Sequence, residues 1–83
     1  MNKEILLKQI LYRSTHRGCK ETDFLLGNFF EKKLQTFTEV ELTLIKGFLE
    51  EDDLKIYDWI LGKVEVKKEY LDLVAAIKKF HKI

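Results

Sequence analysis

The sequence predicts an all-α fold, a single small five-helix bundle domain over residues 1–83. Three observations carry this reading. Five stretches repeat apolar residues at i, i+3 and i+4, the spacing of one helix face. Proline is absent, so no helix interior is interrupted and helix ends are left to caps and glycine. The one alternating stretch, "KVEV" at 63–66, is a lone short run with nothing to pair with, and reads as a connector.

The first stretch, "NKEILLKQILYRS", pairs Leu6 with Ile10 and Leu7 with Leu11 along one stripe. Asn2 is its expected N-cap, Glu4 suits the first turn, and the helix should fade near Ser14. The second, "TDFLLGNFFEKKL", places Leu25, Leu26, Phe29, Phe30 and Leu34 inward. Glu21, Thr22 or Asp23 should satisfy the free amides at its start. Gly27 inside it costs about 1 kcal/mol against alanine, which implies close packing against a neighbour.

The third has the clearest start. Thr38 with Glu41 three residues later forms a capping box, and Phe37 with Leu42 a hydrophobic staple. The helix should run through Val40, Ile45, Phe48 and Leu49 to Glu50. The fourth, "DDLKIYDWILG", should be capped by Asp52 or Asp53 and ended by Gly62 in the left-handed conformation. Leu54, Tyr57, Ile60 and Leu61 are expected inside, with Trp59 at the rim. The fifth, "KKEYLDLVAAIKKFHKI", turns Tyr70, Leu71, Val74, Ile77 and Phe80 inward, while Lys78, Lys79 and Lys82 complement its dipole.

Composition narrows the function classes. With 46% hydrophobic and 35% charged residues, the balance is globular rather than disordered. A net charge of +1 gives no electrostatic footprint for nucleic acid. The charge is unevenly spread: residues 1–21 hold five basic and two acidic residues, residues 38–58 two and seven, residues 59–83 six and three. That pattern suits a protein partner better than a phosphate backbone. The helix after the 50–53 turn begins with aspartates, which argues against DNA recognition. The lone Cys19 fits a reducing compartment. The first apolar run is broken by Lys8 and Gln9, so neither a signal peptide nor membrane insertion is expected. The expected location is the cytoplasm, or the mitochondrial matrix if the source is eukaryotic.

Catalytic chemistry is missing from the pattern. His16, Cys19 and His81 lack metal-ligand spacing, Ser14 near His16 makes no triad, and the glycines are dispersed. "EEDD" (50–53) reads as a solvated turn with a capping aspartate. The expectation is no catalytic residue, no metal and no enzyme activity.

One connector stands apart. "HRGCKETD" (16–23) joins the first two helices. Arg17 offers a planar fork of donors, and Gly18 lets another backbone or a cofactor ring come close. Glu21 can hold Arg17 or sit at the N-terminus of the second helix. Alone, Arg-Gly-x-x-Glu arises by chance in on the order of one chain in a hundred, and a turn with a surface Arg17–Glu21 pair would explain it.

Its context adds weight. "RGCKETD" is followed by "FF" at 29–30, then by a capped helix ending "FLEEDD", then by "DLKIYDWILG". This order resembles the FAD-assembly factors of succinate dehydrogenase, a bacterial and mitochondrial flavinylation family, over roughly residues 6–80. The resemblance implies a five-helix domain that binds the flavoprotein subunit of succinate dehydrogenase, or in some bacteria fumarate reductase. It implies promotion of covalent FAD attachment to a histidine of that subunit, with no cofactor held stably by the factor itself. Carried over by position, the partner-binding residues are Arg17, Gly18 and Glu21, with Asp23 and His16 beside them. Three positions depart from the family pattern: His16 replaces a second basic residue, Thr22 a usually apolar one, and Leu54 a frequent proline. A monomer is expected. The rival reading is an antitoxin-like or regulatory interaction module.

Overall fold

The computed structural model describes residues 3–83. Five helices follow in order: α1 (Lys3–Thr15), α2 (Lys20–Lys33), α3 (Glu39–Phe48), α4 (Asp53–Leu61) and α5 (Leu71–His81). Single 3₁₀ turns at Leu34–Thr36 and Lys68–Tyr70 follow α2 and precede α5. No strand occurs among the described residues, and "KVEV" is a turn and connector as expected. The expected Asn2 cap lies outside the described residues.

The helices enclose one hydrophobic core. Ile10, Leu26, Phe30, Leu42, Ile45, Phe48, Leu49, Ile56, Ile60 and Ile77 are fully buried in it. Phe48, Trp59 and Tyr70 form an aromatic cluster with ring centroids 5.2–5.9 Å apart. A second cluster gathers Phe30, Phe37 and Phe80 around Phe29.

The local signals mostly act as read. Thr38 Oγ1 accepts the Glu41 amide at 3.2 Å, and Glu41 Oε1 accepts the Thr38 amide at 2.8 Å, completing the capping box. Gly62 ends α4 with φ +76°. Gly27 marks a close approach of α2 to α1: a Cβ there would lie 3.0 Å from Thr15 Cγ2.

Several inward assignments are corrected. In α4 the buried stripe is Ile56, Trp59 and Ile60, while Leu54 and Leu61 face solvent and Tyr57 is half-buried. Both sets fit the helical period and share Ile60, so the packing of the neighbouring helices, not periodicity, decides which one is buried. Trp59 is core rather than rim. In α5 Leu73 takes the inward place expected of Leu71, because Tyr70, Leu73, Val74 and Ile77 form the stripe. Leu11 and Val40 are exposed. Asp52 occupies the N-cap position of α4, but its side chain caps nothing.

Candidate functional site: the α1–α2 loop and the acidic turn

The loop between α1 and α2 is built outward from its ends. Cys19 is the N-cap of α2 and makes no side-chain cap bond. Asp23, four residues on, reaches back instead, and its Oδ1 accepts the Arg17 amide at 2.9 Å. Gly18 takes φ +84°, a left-handed conformation that L side chains enter at a cost. Open space surrounds it, with no atom within 4 Å of a built Cβ. Glycine is thus required here by the turn, and the loop's outer surface is left free.

Arg17 points the other way. Its guanidinium donates from Nη1 to the Leu49 carbonyl at 2.7 Å and from Nη2 to the Glu51 carbonyl at 2.6 Å. Its Nε donates to the Asp53 carboxylate, which is also its ion-pair partner. The side chain is 8% exposed. The planar fork therefore binds the turn between α3 and α4 from inside the chain. The expected Arg17–Glu21 pair does not form: Asp53 is the partner. Being engaged with Arg17, Asp53 does not cap α4 either.

Glu21 is exposed. Its carboxyl sits below the ordinary carboxylate range, held there first by its own backbone amide and then by the Cys19 thiol, which donates to Oε2 at 3.4 Å. Thr22, next to it, is fully buried, and its hydroxyl has no hydrogen-bond partner among the described residues. His16 lies flat on Tyr12, with ring centroids 4.1 Å apart and planes 12° from parallel. His16 Nδ1 is 2.9 Å from both the Tyr12 carbonyl and the Thr15 hydroxyl oxygen.

The acidic turn is largely neutralised in place. Arg13 pairs with Glu50 at 3.0 Å. Glu51 accepts from Lys67 at 2.7 Å and lies 3.7 Å from Lys55. The Lys67 bond lowers the Glu51 carboxyl from its ordinary value, and the same bond raises the Lys67 ammonium. Between this turn and the end of α1 lies an open cleft of about 470 Å³, lined by Tyr12, Arg13, His16, Arg17 and residues 49–53. Among the described residues no group of three or more His, Cys, Asp and Glu side chains is placed to hold a metal.

The five residues singled out by sequence lie on the α1–α2 loop and the first turn of α2 but face two ways. Arg17 and Asp23 brace it, while His16, Gly18 and Glu21 form its outer side. Sequence reasoning missed Asp53 as the Arg17 partner and Tyr12 as the platform for His16. The first lies 36 residues away with no local signal; the second was visible only as an i, i+4 aromatic pair.

Comparison with known proteins identifies a family. The family described as "Flavinator of succinate dehydrogenase" matches residues 8–81. The chain is 37% identical over 78 residues to "Succinate dehydrogenase assembly factor 2, mitochondrial" of Dictyostelium discoideum, covering 94% of this chain and 55% of that protein. It is 37% identical over 62 residues to "FAD assembly factor SdhE" of Acetobacter pasteurianus, covering 75% and 57%. A protein of the same name from Coxiella burnetii is 36% identical over 64 residues, covering 77% of each. The chain thus spans about half the length of the first two relatives.

Proposed function

The chain belongs to the flavinator of succinate dehydrogenase family, and from that premise we propose that it is an assembly factor for a flavoprotein. It binds the flavoprotein subunit of succinate dehydrogenase, or of fumarate reductase, and promotes covalent FAD attachment there. The observation that carries this is the family match, which spans residues 8–81 and so takes in the loop, the turn and the core beneath them. The relatives' names favour this reading over an antitoxin-like module.

The chain acts by binding, as a monomer without a catalytic site, and FAD reacts on the client. A factor that binds only the reactive arrangement of client and flavin raises the population of that arrangement. Holding the reacting atoms in place lowers the barrier without a proton from the factor. Gly18 supplies the close approach, and Glu21 and His16 the polar contacts. Arg17 and Asp23 fix the loop against the acidic turn, so they serve binding by position. The setting is the bacterial cytoplasm or the mitochondrial matrix.

Incubating the apo-flavoprotein subunit with FAD, with and without this protein, tests the reading through in-gel fluorescence of covalent flavin. Faster flavin attachment in its presence is expected. Gly18→Arg should remove the acceleration while far-ultraviolet circular dichroism keeps its helical form. An unchanged rate with the wild-type protein would overturn the reading.

A further inference from the structure

A stable interface buries about 800 Å² on each partner and uses roughly 20–30 residues a side. With Arg17 turned inward, the outer side of the loop is only a few residues long and needs a continuation. The cleft beside it is the place where unsatisfied chemistry collects. Two features there stand out: a carboxylate without a partner and an exposed aromatic ring held in place.

The first is Asp52. It stands at the N-cap of α4, where an aspartate ordinarily accepts a backbone amide, yet its side chain makes no such bond. It is exposed and lines the cleft, and no ion pair or side-chain hydrogen bond engages it among the described residues. The other carboxylates of the cleft are matched: Glu50 by Arg13, Glu51 by Lys67, Asp53 by Arg17. Asp52 is the carboxylate left over, so the cleft carries uncompensated negative charge.

The second is Tyr12. Its side chain belongs to a residue 63% exposed, yet its ring is fixed by stacking on His16. Tyrosine is enriched among interface anchors, and a ring already held in place loses little side-chain freedom on binding. The face of an aromatic ring also attracts a cation.

Resting on the function proposed above, we infer that this cleft receives a basic side chain, lysine or arginine, from the flavoprotein client. The cation lies against Tyr12 and is neutralised by Asp52. The loop and the cleft then form one continuous docking surface joined at His16. Asp52 is free because its partner is on the other protein.

Affinity for the purified apo-flavoprotein subunit of succinate dehydrogenase, measured by calorimetry, tests this. Asp52→Lys should weaken binding about tenfold or more, as like charges meet. Asp52→Asn should weaken it less and flatten its salt dependence. Tyr12→Ala should cost about tenfold or more, and Tyr12→Phe should bind as wild type. The urea midpoint of Asp52→Asn should stay close to wild type, since that side chain makes no cap bond, and Asp52→Lys should lower it only slightly, through the charge it brings to the start of α4. Wild-type binding with unaltered affinity in both Asp52→Lys and Tyr12→Ala overturns the cleft assignment alone. Absence of wild-type binding overturns the assembly-factor reading, and the cleft assignment falls with it.

Discussion

The two sides of the α1–α2 loop are neighbours in sequence and opposites in physics. On the inner side, Arg17 joins three acceptors from the α3–α4 turn, and Asp23 fixes the Arg17 backbone. On the outer side, Gly18 faces open space and Glu21 bonds only within its own turn. Closely spaced residues therefore differ in setting: one part holds the loop and the other is left open to solvent. Loss of function in a variant of this loop would not by itself identify a contact with the proposed client. Stability measurements separate the two sides.

The largest effect belongs to Arg17. Removing it leaves the Leu49 and Glu51 carbonyls and the Asp53 carboxylate short of their donor. Arg17→Ala should cost about 2–4 kcal/mol in urea unfolding, given a charged side chain mostly removed from water. A chain of this length has about 4–12 kcal/mol in all, so the variant would approach the limit of folding. Arg17→Lys should recover part of the loss, because one ammonium cannot serve three acceptors in a planar fork. A loss below about 1 kcal/mol in Arg17→Ala would break the distinction between the two sides.

Gly18 sharpens it from the outer side. No neighbour resists a side chain there, so only the backbone conformation does. Gly18→Ala should cost about 1–2 kcal/mol from its positive φ. Gly18→Asn should cost less, since asparagine enters that region more readily. Equal losses in both variants would point to a steric clash rather than a conformational cost.

Thr22 lies between the sides and runs against the usual direction of mutation. Its hydroxyl is buried without a partner among the described residues, which costs about 1–3 kcal/mol of desolvation. Thr22→Val keeps the branched shape and removes the hydroxyl, so it should stabilise the chain by about 1 kcal/mol. A lower urea midpoint would mean that the hydroxyl is satisfied in solution.

What sequence could and could not reveal follows from the range of each interaction. The capping box at Thr38 and Glu41, the stop at Gly62 and the close approach at Gly27 were legible because each is set within a few residues, or by one residue type. The five helices were legible because apolar period is a local property. The inward stripe of α4 was not, since two stripes fit the same period and only the shape of the core decides between them. The orientation of Arg17 was also hidden. Charge type suggested an acidic partner, and Glu21 was near in sequence while Asp53 was near in space. The loop could be located from sequence, but which of its residues face outward could not.

The smallest effect separates the sides by pH. Glu21 and Glu51 both titrate below the ordinary carboxylate range in the folded chain. A lowered carboxyl contributes stability that is complete above its unfolded value and lost as pH falls through its folded value. Both therefore steepen the acid limb, at and below about pH 4. Glu51 differs because its first cause is Lys67, whose ammonium is raised in turn. A raised lysine contributes stability below its unfolded value, near pH 10, and loses it as pH rises through the folded one. Glu51→Gln should therefore flatten both the acid and the alkaline limb of the urea midpoint, and Glu21→Gln only the acid limb. Added salt should shrink the Glu21 difference more than the Glu51 one, because Glu21 is exposed while the Glu51 side chain is only 16% exposed. An alkaline change in Glu21→Gln would tie the outer side of the loop to the Glu51 network, and the two sides would then act as one unit.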